Sequence, residues 1–392
     1  MTKILLVTND GFASLNGGTI LNRNLFQDYE ADKLLSLDSS EEDAVRSGVS
    51  RVSIIPHILG LGLRKHADAL KLAGPKSHSN VGIRRVTSAI KRILLGDASQ
   101  PTFPLKLLKL KRKVHDFAPD VIYTTMGSYA VNKIVLYLSR EFRIPVVIHI
   151  MDDWVVAKNN YGLLSMLQGW LVRRTFADLL RVSSVRYVIS GGMKLAYEKR
   201  YGYRFHVLGN VVEKSWIRQG KAKKNGASLS IGYVGSFTDN SQRGPIEDVI
   251  EAISKSNNSD YQYKFKLSLY VTPETYQFAV QCFSGNDDVE VRVAPVNDEI
   301  FYELLASFDI LLLPSSFSGF AKEYIKYSIP AKFYSYLASG TIVLYYGDKA
   351  SEQVRLATHY GLGIVVTEPT SKAIQDALRN FAEDKIEIQD CL

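Results

Sequence analysis

Short apolar runs alternate with longer segments of helical periodicity along the whole chain. Segments such as residues 129–142 and 163–180 show the helical spacing of apolar positions. In the first half, the apolar runs predict strands at Ile4–Val7, Val52–Ile55, Val121–Thr124, Val146–Ile150 and Tyr187–Ser190. In the second half, they predict strands at Leu229–Val234, Phe265–Val271, Val289–Val293, Ile310–Leu313, Thr341–Tyr345 and Gly363–Val366. Because strands that alternate with helices form parallel sheets covered by helices, the pattern predicts two α/β units.

The two sets of predicted strands are separated by a stretch of different composition. Residues 214–226 are basic, contain glycine and have few apolar positions, which is typical of a linker between domains. A length of 392 residues is enough for two domains, each with its own core. We therefore predict one domain over residues 1–208 and a second over residues 209–392.

The composition is that of a soluble globular protein, with 46% hydrophobic and 22% charged residues. No run approaches the roughly 18 apolar residues of a membrane span, and the apolar stretch after Lys3 is too short for a secretory signal. The two cysteines, Cys282 and Cys391, form neither a disulfide framework nor a zinc-ligand spacing. These features predict a reducing, cytoplasmic compartment and no metal site.

The positive charge of the chain is concentrated between Arg84 and Lys113. This segment holds nine basic residues and one acid, Asp97, while the whole chain has a net charge of +8. Leucines and isoleucines are interleaved with the basic residues, so the segment fits an anionic membrane surface or, alternatively, two ordinary surface helices with solvated basic faces. Zinc-finger, RNA-binding and helix-turn-helix patterns do not accompany it, which argues against nucleic acid as a partner. We predict an anionic membrane partner for Arg84–Lys113, with the protein peripheral at the inner face of the membrane.

The most informative segment runs from Phe308 to Val343 and predicts strand, loop, helix and strand. Pro330 suits the first turn of the helix and Gly340 suits the left-handed position that closes it. A helix start at the carboxyl edge of a parallel sheet offers free amides to anions such as phosphates. The segment resembles the second half of retaining glycosyltransferases of family four, whose pattern is roughly Pro-x-Lys-Phe-x-Glu-Tyr-Leu-Ala-x-Gly-x-x-Val. The chain matches this pattern at Pro330, Lys332, Phe333, Tyr336, Leu337, Ala338, Gly340 and Val343, and departs from it at Ser335.

The resemblance implies the GT-B fold, in which two Rossmann-like, doubly wound parallel-sheet domains face an interdomain cleft. It also implies transfer of a hexosyl group from a nucleotide-diphosphate sugar with retention of configuration. The Asp-x-Asp motif of metal-dependent transferases is missing from the sequence, since Asp152 and Asp153 are adjacent. The expected chemistry is therefore metal-independent and uses no cofactor besides the donor as co-substrate.

Two features of the first half match the resemblance. The pair Gly17-Gly18 follows the first predicted strand and resembles the glycine loop that meets the donor diphosphate and the acceptor. His149, Asp152 and Asp153 lie at the end of a buried strand, where the family carries a catalytic His followed by Asp. Because His149 precedes Asp152 by three positions, it is either a catalytic group or a structural histidine, and the two aspartates are either catalytic or helix caps.

The second half supplies the candidate donor-binding residues. In the family a glycine ends the first strand of this domain, as Gly235 does, and a basic residue before a second glycine pairs with the pyrophosphate, as Arg243 would. Ser335 replaces the glutamate that accepts hydrogen bonds from the ribose, a loss of about 1.5 to 3 kcal/mol unless Glu323 substitutes for it. The complete set of predicted donor-binding residues is Gly17, Gly18, Gly235, Arg243, Ser318, Gly319, Glu323, Lys332 and Ser335.

These observations predict a glycosyltransferase that uses a glycan or lipid-linked acceptor in the synthesis of a surface polysaccharide or glycolipid. Two alternatives stay open at this point. A degenerate, non-catalytic GT-B protein that serves as a binding or scaffold subunit would explain Ser335 and Ser236, which stand where the family has Glu and Arg. A nucleotide-sugar epimerase of the same fold would act on the donor without any acceptor.

Overall fold

The computed structural model describes residues 1–9, 11–12, 17–38, 49–53, 107–125, 129–157, 165–220, 228–317, 322–323 and 325–383. Among these residues the chain forms two parallel sheets with helices on both faces. The strands of the first sheet are β1 (Ile4–Val7), β2 (Leu34–Asp38), β3 (Ser50–Ser53), β4 (Val121–Thr124), β5 (Val146–Ile150), β6 (Ser183–Val188) and β7 (His206–Val207). They lie in the order β3-β2-β1-β4-β5-β6-β7.

The second sheet has six strands in its described part, in the order β10-β9-β8-β11-β12-β13. Its strands are β8 (Ser228–Gly235), β9 (Lys264–Val271), β10 (Val289–Val293), β11 (Ile310–Pro314), β12 (Ile342–Tyr346) and β13 (Gly363–Val366). The first sheet ends at Val207 and the second begins at Ser228, so the predicted boundary after residue 208 falls in the connection between them.

Helices connect the strands, and each sheet is covered on both faces. The helices of the first unit are α1 (Gly17–Leu25), α2 (Leu107–Phe117), α3 (Tyr129–Phe142), α4 (Trp154–Ala157), α5 (Ser165–Val182) and α6 (Gly191–Tyr201). Those of the second unit are α7 (Gly244–Asn257), α8 (Pro273–Phe283), α9 (Asp298–Ser307), α10 (Ala331–Ala338), α11 (Glu352–Tyr360) and α12 (Ser371–Ala382). No helix among the described residues is both long enough and apolar enough to cross a membrane.

Local sequence explains where several helices begin and end. Ser190 caps α6 because its hydroxyl accepts a hydrogen bond from the amide of Met193 at 3.0 Å, and the helix ends at Gly202 in the left-handed conformation. Gly340 follows α10 with a φ of +69°, as the sequence predicted. Pro330, in contrast, has an extended ψ of 143° and precedes the first turn of α10.

Nine predicted strands agree with the structure to within one residue at each end, and the differences concern β2, β3, β6 and β7. The strand predicted at Tyr187–Ser190 runs instead over Ser183–Val188, because Ser190 is taken up by the cap of α6. The strands β2 and β7 were not predicted. The predicted strand Val52–Ile55 begins two residues earlier, at Ser50, and its last two residues lie outside the described part of the chain.

Both sheets reverse their winding direction at one position. In the first sheet the helix after β1 leads to β2 on one side, while the helix after β4 leads to β5 on the other. In the second sheet α7 leads from β8 to β9, while α10 leads from β11 to β12 in the opposite direction. Ligands of doubly wound sheets bind in the crevice at such a reversal, beyond the carboxyl ends of the strands. The β1/β4 and β8/β11 pairs are therefore where binding residues are expected.

The two units contact each other through buried and exposed groups. Glu352 of α11 is buried, and its carboxylate accepts a hydrogen bond of 2.8 Å from the amide of Gly192 in the first turn of α6. The hydroxyl of Ser190 donates to the carbonyl oxygen of Tyr327 at 2.7 Å. Arg23 of α1 forms an ion pair of 3.1 Å with Asp298 at the start of α9, and both side chains are partly in water. The residues at the contact between the two units are therefore held by elements of both.

Candidate functional site

The reversal between β8 and β11 brings together two residues that are 97 positions apart in sequence. Lys332 lies in the first turn of α10, which follows β11, and Gly235 is the last residue of β8. The Lys332 side chain passes the end of β8 so closely that a Cβ atom built on Gly235 would lie 2.7 Å from Nζ. Gly235 also has a φ of +143°, which side chains other than that of glycine rarely allow. The glycine thus provides both the backbone conformation and the space for the ammonium group.

The Lys332 ammonium contacts an aromatic side chain of the same strand. Nζ donates a hydrogen bond of 2.7 Å to the hydroxyl of Tyr233 and lies 4.0 Å from the centroid of that ring. Tyr233 is fully buried, and its hydroxyl donates in turn to the carbonyl oxygen of Ser236. A cation over an aromatic ring is stabilised by the negative face of the ring, and more so where water is excluded. Tyr233 therefore holds the ammonium at the carboxyl end of β8.

Burial lowers the pKa of Lys332 to about 7. Removal from water disfavours the charged form, and no carboxylate within the described parts of the chain pairs with this lysine to offset that effect. An anion that bound next to Nζ would supply the missing charge and raise the pKa again. The arrangement suits a phosphate or diphosphate group at the β8/β11 crevice.

The glycine pair Gly17-Gly18 opens α1, and α1 packs against α10, the helix that carries Lys332. The Asn22 side chain of α1 is buried and donates to the carbonyl oxygen of Gly11 at 3.0 Å, which ties the helix to the loop after β1. At the crevice of the first sheet, the hydroxyls of Thr8 and Thr125 lie 2.9 Å apart beyond the ends of β1 and β4. Helix α1, which begins with Gly17 and Gly18, therefore lies beside α10, whose Lys332 lies against Gly235.

Ser335 lies one turn after Lys332 on α10 and is buried. Its hydroxyl oxygen is 3.4 Å from the hydroxyl of Tyr302 on α9, a long and therefore weak hydrogen bond. Tyr302 stacks in parallel on Trp216 of the connection between the units, with ring centroids 5.1 Å apart. The position where the sequence resemblance implies a glutamate is thus packed against an aromatic pair.

Arg243 is paired with carboxylates of its own segment. Its Nε donates to Glu247 at 2.7 Å and its Nη1 donates to Asp239 at 3.0 Å, with the guanidinium partly in water. These hydrogen bonds raise the pKa of Arg243 further above its ordinary value. A donor diphosphate would have to compete with two carboxylates for this cation, so Arg243 is a weaker candidate than Lys332.

His149 is fully buried and both ring nitrogens have partners. Nδ1 lies 2.7 Å from the hydroxyl of Tyr123 on β4, and Nε2 lies 2.8 Å from the carbonyl oxygen of Leu208 beyond β7. Since a carbonyl oxygen only accepts, Nε2 carries the proton and Nδ1 accepts from the tyrosine. Burial lowers the pKa of His149 to about 4 and keeps it neutral. This geometry favours the structural alternative left open by the sequence.

Asp153 is also buried and forms a bidentate ion pair. Its two oxygens accept from Arg200 of α6 at 2.9 and 3.0 Å, and Oδ1 also accepts from the hydroxyl of Tyr197 at 2.8 Å. The carboxylate thereby joins the start of α4 to α6, an arrangement that favours a structural role. Asp152 is half-buried. Of the three candidate acid or base residues, it is the one with access to solvent.

The remaining candidates lie at or near the loop after β11. Glu323 is exposed, while Ser318 and Gly319 lie outside the described residues, as do residues 84–106 of the basic segment. Within the described part of the chain, no group of three His, Cys, Asp or Glu side chains could hold a metal ion.

The sequence reasoning missed two partners that define these environments. The pattern of the chain shows Tyr233 only as part of an apolar strand and Arg200 only as part of a helix. No local signal in the sequence paired Tyr233 or Gly235 with Lys332. The contacts of Tyr233 with Lys332 and of Arg200 with Asp153 are tertiary contacts, which periodicity cannot reveal.

The two sheets with their helices have the architecture of GT-B glycosyltransferases. HepE of Anabaena, solved with UDP and glucose, matches with a TM-score of 0.59 at 13% identity, over 98% of this chain and 91% of HepE. Sucrose-phosphate synthase of Thermosynechococcus elongatus matches with a TM-score of 0.61 at 12% identity, over 97% of this chain and 90% of the synthase. WaaG, a glycosyltransferase involved in lipopolysaccharide biosynthesis, matches with a TM-score of 0.53 at 13% identity, over 96% and 90% of the two chains. Because the sequence identities are this low, the similarity establishes the fold alone.

Comparison with models of protein families gives no match to this chain. Comparison with curated protein sequences gives none either.

Proposed function

We propose that this chain is a metal-independent hexosyltransferase that moves a sugar from a nucleoside-diphosphate donor to a glycan or lipid-linked acceptor with retention of configuration. The observation that carries the proposal is the Lys332 ammonium, which has no carboxylate partner among the described residues and lies at the β8/β11 crevice against Gly235. An unneutralised cation at that edge of a doubly wound sheet suits the diphosphate of a donor.

In this proposal the donor diphosphate contacts Lys332 and the first amides of α1 at Gly17 and Gly18. A helix start adds partial positive charge, and two adjacent glycines allow a phosphate to approach the backbone closely. Both groups stabilise the charge that develops on the departing nucleoside diphosphate, without a metal ion or a further cofactor. Asp152 is the candidate acid or base, while His149 and Asp153 maintain the architecture around it.

Uridine is the base to test first. HepE has been solved with UDP and with UDP-glucose, and its fold covers nearly the whole of this chain. Position 335 bears on the affinity for the donor rather than on the base, because Ser335 is buried against Tyr302 and has a neutral hydroxyl in place of a carboxylate for the ribose. A hydrogen bond to a charged acceptor contributes about 1.5 to 3 kcal/mol, against about 0.5 to 1.5 kcal/mol for a neutral one, so we expect modest donor affinity compared with enzymes that have glutamate there.

The test is calorimetric titration with UDP, GDP and dTDP, followed by turnover of the matching nucleotide sugars. Lys332→Met should weaken binding of the preferred diphosphate by about ten- to a hundredfold, the loss typical of a charged hydrogen bond. Lys255→Met is the matched control, because Lys255 is exposed and pairs with Glu251 at 2.5 Å. The proposal fails if none of the diphosphates binds, or if both variants bind as the parent does.

Two specific observations support an alternative, a non-catalytic GT-B protein. Arg243 is neutralised by Asp239 and Glu247, and Ser335 replaces a glutamate. Donor binding without turnover in the presence of a wide acceptor panel would favour this alternative.

An epimerase is the other alternative. A putative UDP-N-acetylglucosamine 2-epimerase of Listeria monocytogenes matches with a TM-score of 0.50 at 10% identity, over 98% of this chain and 89% of the epimerase. Conversion of a nucleotide sugar to its epimer in the absence of any acceptor would favour epimerisation over transfer.

The acceptor is proposed to be borne by a membrane. The basic segment Arg84–Lys113 motivates this expectation, together with a peripheral position at the cytoplasmic face. Neutralising Lys109, Lys111, Arg112 and Lys113 together should then reduce binding to anionic vesicles.

A further inference from the structure

Helix α5 presents two large apolar side chains to solvent. Met166 is 86% exposed and Trp170, one turn later, is 48% exposed. The opposite side of the helix carries Val172, Phe176 and Leu179, which are fully buried. Since the helix already has a complete buried face, Met166 and Trp170 are not needed for packing within the described fold.

Cations share the exposed side of α5 with this apolar pair. The Arg174 guanidinium lies 5.1 Å from the centroid of the Trp170 ring, and Arg173 and Arg181 are exposed on the same helix. Arg181 pairs with Asp178, the single acid of α5, at 2.7 Å. A tryptophan beside arginines is the composition found where proteins meet the headgroup region of a bilayer.

The charge extends over the neighbouring helices. α3 packs against α5, and Lys111 of α2 reaches Glu141 of α3 at 2.7 Å, so α2, α3 and α5 form one layer. We call the solvent-facing side of this layer the α2/α3/α5 face. The three helices hold nine basic residues and three acids: Lys109, Lys111, Arg112, Lys113, Lys133, Arg140, Arg173, Arg174 and Arg181 against Asp116, Glu141 and Asp178. The excess of six charges is most of the net charge of +8.

A cavity of about 300 Å³ lies between α3 and α5, lined in part by Lys133, Arg140, Glu141 and Asp178. Two cations and two carboxylates balance each other there, so the cavity is not itself an anion site. The attraction for anions comes from the α2/α3/α5 face as a whole.

We propose that the α2/α3/α5 face docks the protein on an anionic phospholipid bilayer, with Met166 and Trp170 entering the boundary between headgroups and acyl chains. Lys and Arg side chains near such a surface are attracted to the anionic headgroups, and the apolar pair adds attraction that salt does not screen. A second copy of the chain is a poor occupant, because like charges would face each other across the interface. The inference extends the membrane acceptor of the proposed function to a defined surface, but it needs no glycosyl transfer to be true.

The tryptophans of the chain make the docking directly measurable. The chain has three, of which Trp154 is buried and Trp216 stacks on Tyr302, so Trp170 is the residue that would respond to lipid. The full chain, without nucleotide, is mixed with vesicles of phosphatidylcholine or of phosphatidylcholine with phosphatidylglycerol. We expect flotation with the anionic vesicles only, a blue shift of the emission, and quenching by lipids brominated near the headgroup. Trp170→Phe should abolish the quenching and keep the flotation.

Substitutions distinguish the α2/α3/α5 face from the rest of the protein surface. Met166→Ser with Trp170→Ser should lower vesicle affinity about tenfold or more, and Arg173→Gln with Arg174→Gln should lower it further at low salt. Leu195→Ser is the control, because Leu195 is 68% exposed on α6, outside the α2/α3/α5 face.

Unchanged flotation of the serine double variant, or bound protein whose Trp170 emission is not quenched, would overturn the proposal. So would dimerisation in the absence of lipid that the same serine substitutions abolish. Because no donor is present, failure here leaves the proposed glycosyl transfer untouched, and loss of donor binding in the calorimetric test leaves the docking untouched.

Discussion

The ammonium of Lys332 lies 2.7 Å from the position that a Cβ atom at Gly235 would occupy. At the crevice of the second sheet, the Lys332 side chain of α10 thus occupies the space that Gly235 leaves at the end of β8. The fit depends on a residue without a side chain at position 235 and on a long cation at position 332. Replacing either residue alone should therefore disturb the same site.

Gly235→Ala should displace the Lys332 ammonium and weaken binding of the preferred nucleoside diphosphate. The φ of +143° adds a backbone strain of about 1 to 3 kcal/mol, which lowers the free energy of unfolding. Gly285→Ala is the matched control, because Gly285 has a φ of +90° and no atom within 4 Å of its added Cβ. We expect both variants to lose stability in urea denaturation and Gly235→Ala alone to lose nucleotide binding in calorimetry. Equal nucleotide affinity in the two variants would contradict this prediction.

Nucleotide binding should weaken as the pH rises above about 7. The pKa of Lys332 in the free protein is about 7, so at higher pH the amine is neutral and must take up a proton before it can pair with a diphosphate. Affinity should fall by up to about tenfold per pH unit, while below pH 7 the lysine is already charged and this effect vanishes. Calorimetry in buffers of different ionisation enthalpy at alkaline pH measures the proton uptake directly. Lys332→Met should bind weakly and show no such uptake; uptake that persists in this variant would assign it to another group.

Acid should destabilise the fold through His149. Its pKa is about 4 in the folded state and about 6.5 when unfolded, so the unfolded chain binds the extra proton between these values. The contribution of neutral His149 is complete above about pH 6.5 and is lost as the pH falls towards 4, by about 3 kcal/mol in total. Urea denaturation across this range should show a shallower decline for His149→Gln than for the parent. His359→Gln, at an exposed position, should follow the parent, and an identical decline in both variants would show that His149 is not the group responsible.

The contact between α6 and α11 can be tested with two adjacent glycines. A Cβ atom on Gly192 would lie 2.2 Å from the Glu352 carboxylate, whereas one on Gly191 has no atom within 4 Å. Gly192→Ala should break the hydrogen bond that Glu352 accepts and cost about 1 to 3 kcal/mol of stability, while Gly191→Ala should be nearly neutral. Chemical denaturation gives the stability, and small-angle scattering reports whether the two units separate. If the two alanine variants behaved alike, the contact would not hold the units together.

Much of the fold could be predicted because its strands are short apolar runs bounded by polar turns. Strand β2 (Leu34–Asp38) escaped because its sequence, Leu-Leu-Ser-Leu-Asp, has neither β-branched residues nor a clear alternation, although all five residues are buried. Strand β7 has only two residues, both exposed, and gave no signal. The predicted start of β6 at Tyr187 is too late, because Val182 and Ser183 adjoin without a glycine or proline that would mark the end of α5.

The site was less predictable than the fold. Motif spacing pointed to Lys332 and Gly235, whose proximity the structure provides. The roles of His149 and Asp153 depend on Tyr123, Leu208 and Arg200, which are distant in sequence. Position at the end of a strand indicates where a side chain lies, but not which neighbours satisfy its hydrogen bonds.

Two of the contacts between the units have unequal strength. The Arg23–Asp298 pair lies partly in water and is worth at most about 1 kcal/mol, whereas Glu352 is anchored in a dry environment. Added salt should therefore weaken the Arg23–Asp298 contact more than the contact between Glu352 and Gly192.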